Sequence, residues 1–176
     1  MTVREARAQY FARNGFSEAG YRDRWVKLKL GPVPLAFPNT RSRRRAIPMH
    51  DLHHVATGYE TTVVGEGEIG AWEIAGSCGP YAAAWLLNAI AFAGGMVMAP
   101  RRTYRAFVRG RRARTLYRTG WCDELLDLDV AELRRRVAVS GQPPSATWRD
   151  RAAFAGWLAL LALPGAVALA ALVKSR

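Results

Sequence analysis

At 176 residues the chain is long enough for one domain with a real core, and its formal charge is +12, from 26 Lys+Arg against 14 Asp+Glu. The excess is almost all arginine, with lysine only at 27, 29 and 174; without a helix-turn-helix pattern, zinc-finger spacing or aromatic interleaving, nucleic acid is not an expected partner. Cys78 and Cys122 are too few for a disulfide framework and lack metal spacing, which points to a reducing compartment.

In chain order, residues 1–24 contain no apolar core of a signal peptide, and a short helix is expected from Val3 to Arg13, stopping near Asn14-Gly15. WVKLKL, Trp25 to Leu30, alternates like a strand but has no evident partner before Gly31-Pro32-Val33-Pro34, so it reads as an extended, loop-like segment. Residues 38–48 hold the densest charge run, with Arg41, Arg43, Arg44 and Arg45. Arginine forks suit carboxylate or phosphate, so Arg43 and Arg44 are candidates for the mouth of a site or for an anionic surface; a solvated loop explains them equally well.

All three histidines follow at once, in HDLHHVATGYETTVVGE from His50 to Glu66. On a helix, His50, Asp51 and His54 fall within about 100° of arc. Gly58 is a natural helix stop, and Thr61 or Thr62 can cap a second helix that folds back and brings Glu66 to the first. Two imidazoles and two carboxylates suit zinc, iron(II) or manganese better than magnesium. His53 lies outside the arc, as a residue that supports the ligands from behind or lines the pocket; a His50-His53-His54 set is the competing assignment. Glu73, seven residues beyond Glu66, shares its helix face and is either a partner of the site or a surface carboxylate.

Residues 74–100 carry no charge, and a buried helix is expected from Tyr81 to about Phe92, interrupted by glycines and by Asn88. Pro100 opens an arginine-rich helix to about Tyr117, with one basic face. A short helical turn follows in Trp121–Leu128. Asp129 caps the next helix, which ends at Ser140-Gly141. From Ala152 to Val173 there are 22 uncharged residues flanked by Arg149, Arg151, Lys174 and Arg176, a helix of about 33 Å that is long enough to cross a bilayer. The pattern predicts an all-α protein: a single helical domain (1–141) with a metal-binding helical hairpin, a linker (142–151), and a C-terminal apolar transmembrane helix (152–176). The basic domain is expected on the cytoplasmic face of the membrane.

His50, Asp51, His54 and Glu66, with Pro48 before them and Thr57-Gly58-Tyr59 and Gly65 between, reproduce an HDxxH-x11-E pattern. In this, and from about Tyr21 to Gly141 including AFVRGRRARTLYRTGWCDELLDLDVAELRRRV, the chain resembles the Coq-four family of coenzyme Q (ubiquinone) biosynthesis. The resemblance implies a helical, membrane-associated protein with a divalent ion on His50, Asp51, His54 and Glu66. It also implies a role in oxidative decarboxylation at C1 of a polyprenylated benzoquinone precursor, with Glu66 the candidate catalytic residue and Zn2+ the first choice of ion (Fe2+ or Mn2+ otherwise). The expected partners are that precursor or another isoprenoid lipid, the membrane, and other quinone-biosynthesis proteins. Two alternatives are a non-catalytic lipid-binding scaffold and a metal-dependent hydrolase with Glu66 as general base. The apolar tail after residue 151 is not explained by the resemblance.

Overall fold

The computed structural model describes residues 1–30, 33–139 and 145–174; for 27–30, 33–35, 37 and 163–174 it describes the backbone alone. Among the described residues the fold is helical, with eight α-helices and one small hairpin. Helix α1 (Val3–Asn14) has a capping box between Thr2 and Glu5 and ends on Gly15 at φ 66°. After the single turn α2 (Ala19–Arg22) come β1 (Trp25–Leu30) and β2 (Val33–Pro38), paired antiparallel with Trp25 opposite Pro38 and Leu30 opposite Val33. WVKLKL is therefore a true strand. Its partner VPLAFP was hidden by Pro34 and Pro38, which a two-stranded ribbon tolerates because both of its strands are edges.

The arginine run is not a loop. Helix α3 (Arg41–Thr57) starts at Thr40, whose side chain accepts from the Arg43 N–H, and it continues through Pro48. Ala46, Met49, Leu52 and Ala56 recur at helical spacing and are buried. Gly58 ends the helix in the left-handed region at φ 77°. Helix α4 (Val63–Gly76), capped by Thr62, is buried along most of its length between α5 (Ala82–Met98) and α6 (Pro100–Gly110). Glycine permits this sandwich. A Cβ on Gly67 would lie 2.4 Å from the Gly95 Cα, and one on Gly110 would lie 2.2 Å from the Trp72 carbonyl oxygen. Gly95 thus serves helix packing, and α5 runs on to Met98 instead of stopping near Phe92.

Helix α5 is only half buried. Ala84, Asn88, Phe92 and Gly95 face the core, whereas Leu86 (63%), Ile90 (62%) and Val97 (83%) are exposed on a stripe without charge. Past two short 3-10 turns (Leu116–Arg118 and Asp123–Leu126), α7 (Val130–Arg136) is capped by Asp129. The Thr2 strand-like bridge to Asp129 ties the beginning of α1 to it. Residues 140–144, which include the first three of the expected linker (142–151), lie outside the described residues. Helix α8 (Trp148–Lys174) begins four residues before the expected membrane segment. Its first half docks on the domain: Phe154 packs against Phe92, Tyr104 and Phe107, and Trp157 stacks on Trp85 at 5.8 Å. The side chains of the rest of that segment, 163–173, lie outside the described residues; among those described, no helix is long and apolar enough to cross a membrane.

Candidate metal centre

His50 and His54 stand one turn apart on α3, and Glu66 lies in the first turn of α4, whose start is turned back toward α3 by Gly58 and the Thr62 cap. His50 Nε2 is 3.2 Å from His54 Nε2 and 3.6 Å from a Glu66 oxygen; His54 Nε2 is 3.5 Å from the other oxygen. These three are the group whose donor atoms all lie within 4.8 Å of one another among the described residues. A tetrahedral zinc site with bonds of about 2.0–2.1 Å has donor–donor edges of about 3.3–3.4 Å. The observed edges fit that figure, so the group could hold a metal ion.

Each imidazole is oriented from behind. His50 Nδ1–H donates to Glu73 Oε1 at 2.9 Å, and His54 Nδ1–H donates to the Tyr59 carbonyl at 2.8 Å. Both rings are thereby committed to presenting a bare Nε2 to the shared space, an arrangement typical of metal-bound histidines. Two lone pairs at 3.2 Å need a cation or a proton between them. Burial works against the charged form of His50, but the Glu73 and Glu66 carboxylates outweigh it and hold the pKa of His50 well above 6.5. Burial and the neighbouring His50 charge push His54 down to about 4. Near neutral pH the metal-free site therefore carries a proton on His50, in the place an ion would take.

Zinc binding at pH 7 should release about one proton per ion, and affinity should rise with pH until the raised His50 pKa is passed. Calorimetry in buffers of different ionisation heats measures the proton; release of none at pH 7 would contradict this arrangement.

The fourth expected ligand stands apart. Asp51, about 100° further round α3, meets α1 and α2 instead of α4. Its carboxylate accepts from Tyr10 OH at 3.4 Å and from Tyr21 OH. Burial lifts its pKa to about 6, against the pull of His50 and the two phenols. His53 is fully buried and both its nitrogens are engaged: Nδ1–H donates to Glu73 Oε1 at 2.6 Å, and Nε2 accepts from the Leu116 N–H at 2.8 Å. It therefore stands outside the donor group, and a His50-His53-His54 set is not formed.

Glu73 is the hub. Fully buried, it accepts from His50 and His53 on one oxygen and, on the other, from Tyr117 OH at 2.9 Å and from Asn88 Nδ2. Burial alone would raise its pKa, but His50 and the hydrogen bonds from both histidines more than reverse that and keep it ionised. Arg43 is half-buried, and its Nη1 donates to Asn39 Oδ1 at 3.0 Å, while Arg44 is exposed. Glu68 pairs with Arg102 at 2.6 Å, away from the site.

Sequence reasoning did not assign roles to Tyr10, Tyr21, Tyr59, Asn88 and Tyr117. Asn88 carried the clearest signal, as the one amide in an otherwise apolar helix. Comparison of the chain with known protein families, with characterised proteins and with solved structures finds no match.

Proposed function

We propose that the chain is a metal-dependent protein of coenzyme Q biosynthesis, acting on the carboxylated ring of a polyprenylated benzoquinone precursor. The observation that supports this best is the convergence of His50, His54 and Glu66 at 3.2–3.6 Å, with Glu66 38% exposed, so that the donor group borders solvent. Three protein donors with one side open are the composition of a catalytic zinc site and of a two-histidine, one-carboxylate iron site. A divalent ion bound there would polarise the ring carboxylate and stabilise charge as the carbon–carbon bond breaks. The chain's own part is to hold the donors rigid through Glu73 and the Tyr59 carbonyl. Asp51, with its pKa near 6 and its two phenols, supplies a carboxyl able to hold or release a proton near neutral pH. Glu66 fits the role of ligand better than that of general base, since its oxygens lie 3.5 and 3.6 Å from the histidine nitrogens, close to the 3.2 Å between those nitrogens.

Attachment to a membrane belongs to the same reading. The uncharged outer stripe of α5 and the uncharged tail from Ala152 to Val173 support it, as do the exposed Arg101, Arg105, Arg149 and Arg151, which suit anionic lipid headgroups. An isoprenoid tail would find the same apolar surface.

Glu66→Gln, which keeps shape and removes charge, tests the reading in cells that depend on this protein. Mass spectrometry is expected to show ring-carboxylated precursor accumulating while the protein remains at normal abundance. Normal quinone output from Glu66→Gln would overturn the catalytic reading and favour a lipid-binding scaffold. In the same cells the wild-type chain should sediment with membranes after a high-salt wash; recovery in the supernatant would remove the membrane from the proposal.

A further inference from the structure

The C-terminal end of α3 is held by two arginines from different helices. The last carbonyls of a helix have no partner within it. Here the His54 carbonyl accepts from the Gly58 N–H at 2.9 Å and the His53 carbonyl from Thr57 Oγ1 at 2.7 Å. The Ala56 carbonyl accepts from Arg134 Nε of α7 at 3.0 Å, and the Thr57 carbonyl from Arg109 Nη1 of α6 at 3.3 Å. Cations at this end also complement the helix dipole.

Arg109 does more than cap. Its guanidinium also lies over the Tyr59 ring, 5.5 Å from the ring centre. It therefore grips both sides of Gly58, by the carbonyl before it and by the side chain after it. Gly58 is the one residue between those two points, and it sits at φ 77°, where glycine is free to turn. The Tyr59 carbonyl is the acceptor for His54 Nδ1–H.

We propose that Arg109 is a positioning residue: by fixing the turn at Gly58 it holds the Tyr59 carbonyl under His54, and so keeps the His54 proton on Nδ1 and its Nε2 free for a metal ion. The functional part of this inference rests on His54 being a ligand. A neutral imidazole in water prefers its proton on Nε2, so the tautomer needed here must be imposed: by the acceptor at Nδ1 and, while His50 is protonated, also by the His50 proton facing His54 Nε2. Arg134 reaches only the Ala56 carbonyl, one residue earlier, and has no contact with Tyr59 among those described. It is the natural control for a general loss of helix capping.

The test reads the tautomer directly, by nitrogen NMR of the metal-free full chain labelled at histidine, at a pH above the raised His50 value so that no His50 proton holds His54 Nε2, together with zinc affinity at neutral pH. Wild type is expected to show His54 protonated on Nδ1. Arg109→Met is expected to bring in the Nε2–H form and to weaken zinc binding about 10- to 100-fold, the usual effect of losing support behind a ligand. Arg134→Met should lower thermal stability and leave the His54 signals unchanged. An unchanged tautomer in Arg109→Met overturns the proposal, as does an equal shift in Arg134→Met. Should Arg109→Met not fold, Tyr59→Leu removes the ring that Arg109 covers but keeps the carbonyl. It is expected to shift the tautomer in the same direction, and no shift overturns the proposal. Absence of zinc binding by wild type would count against the metal reading alone, because the tautomer is read without metal.

Discussion

Glu73→Leu is expected to cost about 3 to 5 kcal/mol of folding stability, the range found when one partner of a buried charged network is removed. The side chain fits the space, so the loss comes from what is left behind. Donors on His50, His53, Asn88 and Tyr117 all converge on this fully buried carboxylate, and those on His53, Asn88 and Tyr117 are themselves buried away from water. Each orphaned buried donor costs about 1–3 kcal/mol before relaxation. A domain of ordinary stability holds about 5–15 kcal/mol in total, so the variant should sit near the edge of folding. Because the pKa of Glu73 is depressed in the folded chain, its contribution is complete above the ordinary glutamate value of 4.5 and is lost as pH falls below that. The gap between wild type and Glu73→Leu should therefore narrow in acid. Urea unfolding of the metal-free proteins at pH 7 and pH 4 measures both effects. A loss below about 1 kcal/mol at pH 7 would show that the network is not built on this residue.

The second large effect concerns the ion. His54→Ala removes one of three donors and is expected to weaken zinc binding by more than about 100-fold, beyond what loss of a supporting residue does. Asp51→Asn provides the contrast. If Asp51 were a fourth ligand, its loss would match that of His54. With its oxygens on Tyr10 and Tyr21, the amide should keep zinc affinity within about tenfold of wild type, the lower bound for a supporting group. Competition against a chromophoric chelator gives both constants. Equal, large losses in the two variants would restore the four-ligand set and contradict the geometry described above.

Much of this arrangement was legible from the sequence, for local reasons. The helix stops at Gly15 and Gly58 and the caps at Thr62 and Asp129 are set by residues within a few positions of each other, and the meeting of His50 and His54 with Glu66 by residues at most 16 apart. What was not legible depends on neighbours distant in sequence. Asp51 shares a helical arc with the histidines, but α1 and α2 supply Tyr10 and Tyr21 on its side, and nothing in the 50–66 segment reports that. Glu73 could be placed on the Glu66 face, whereas its burial depends on Asn88 and Tyr117, 15 and 44 residues away. Gly94-Gly95 looked like an interruption because glycine is a poor helix former; the role of Gly95 at the crossing with Gly67 exists only once α4 and α5 are packed. The arginine run fitted a solvated loop as well as the mouth of a site; that it is helical depends on Thr40 starting the helix upstream and on the helix running through Pro48.

Zinc content after exhaustive dialysis tests the three-donor site most directly. The full chain is equilibrated with excess zinc, dialysed, and measured by elemental analysis beside a double variant, His50→Ala with His54→Ala. Wild type should retain about one ion per chain, as a single site of this kind requires, and the double variant essentially none. The same zinc content in both proteins, whether one ion or none, would contradict a metal centre at His50, His54 and Glu66.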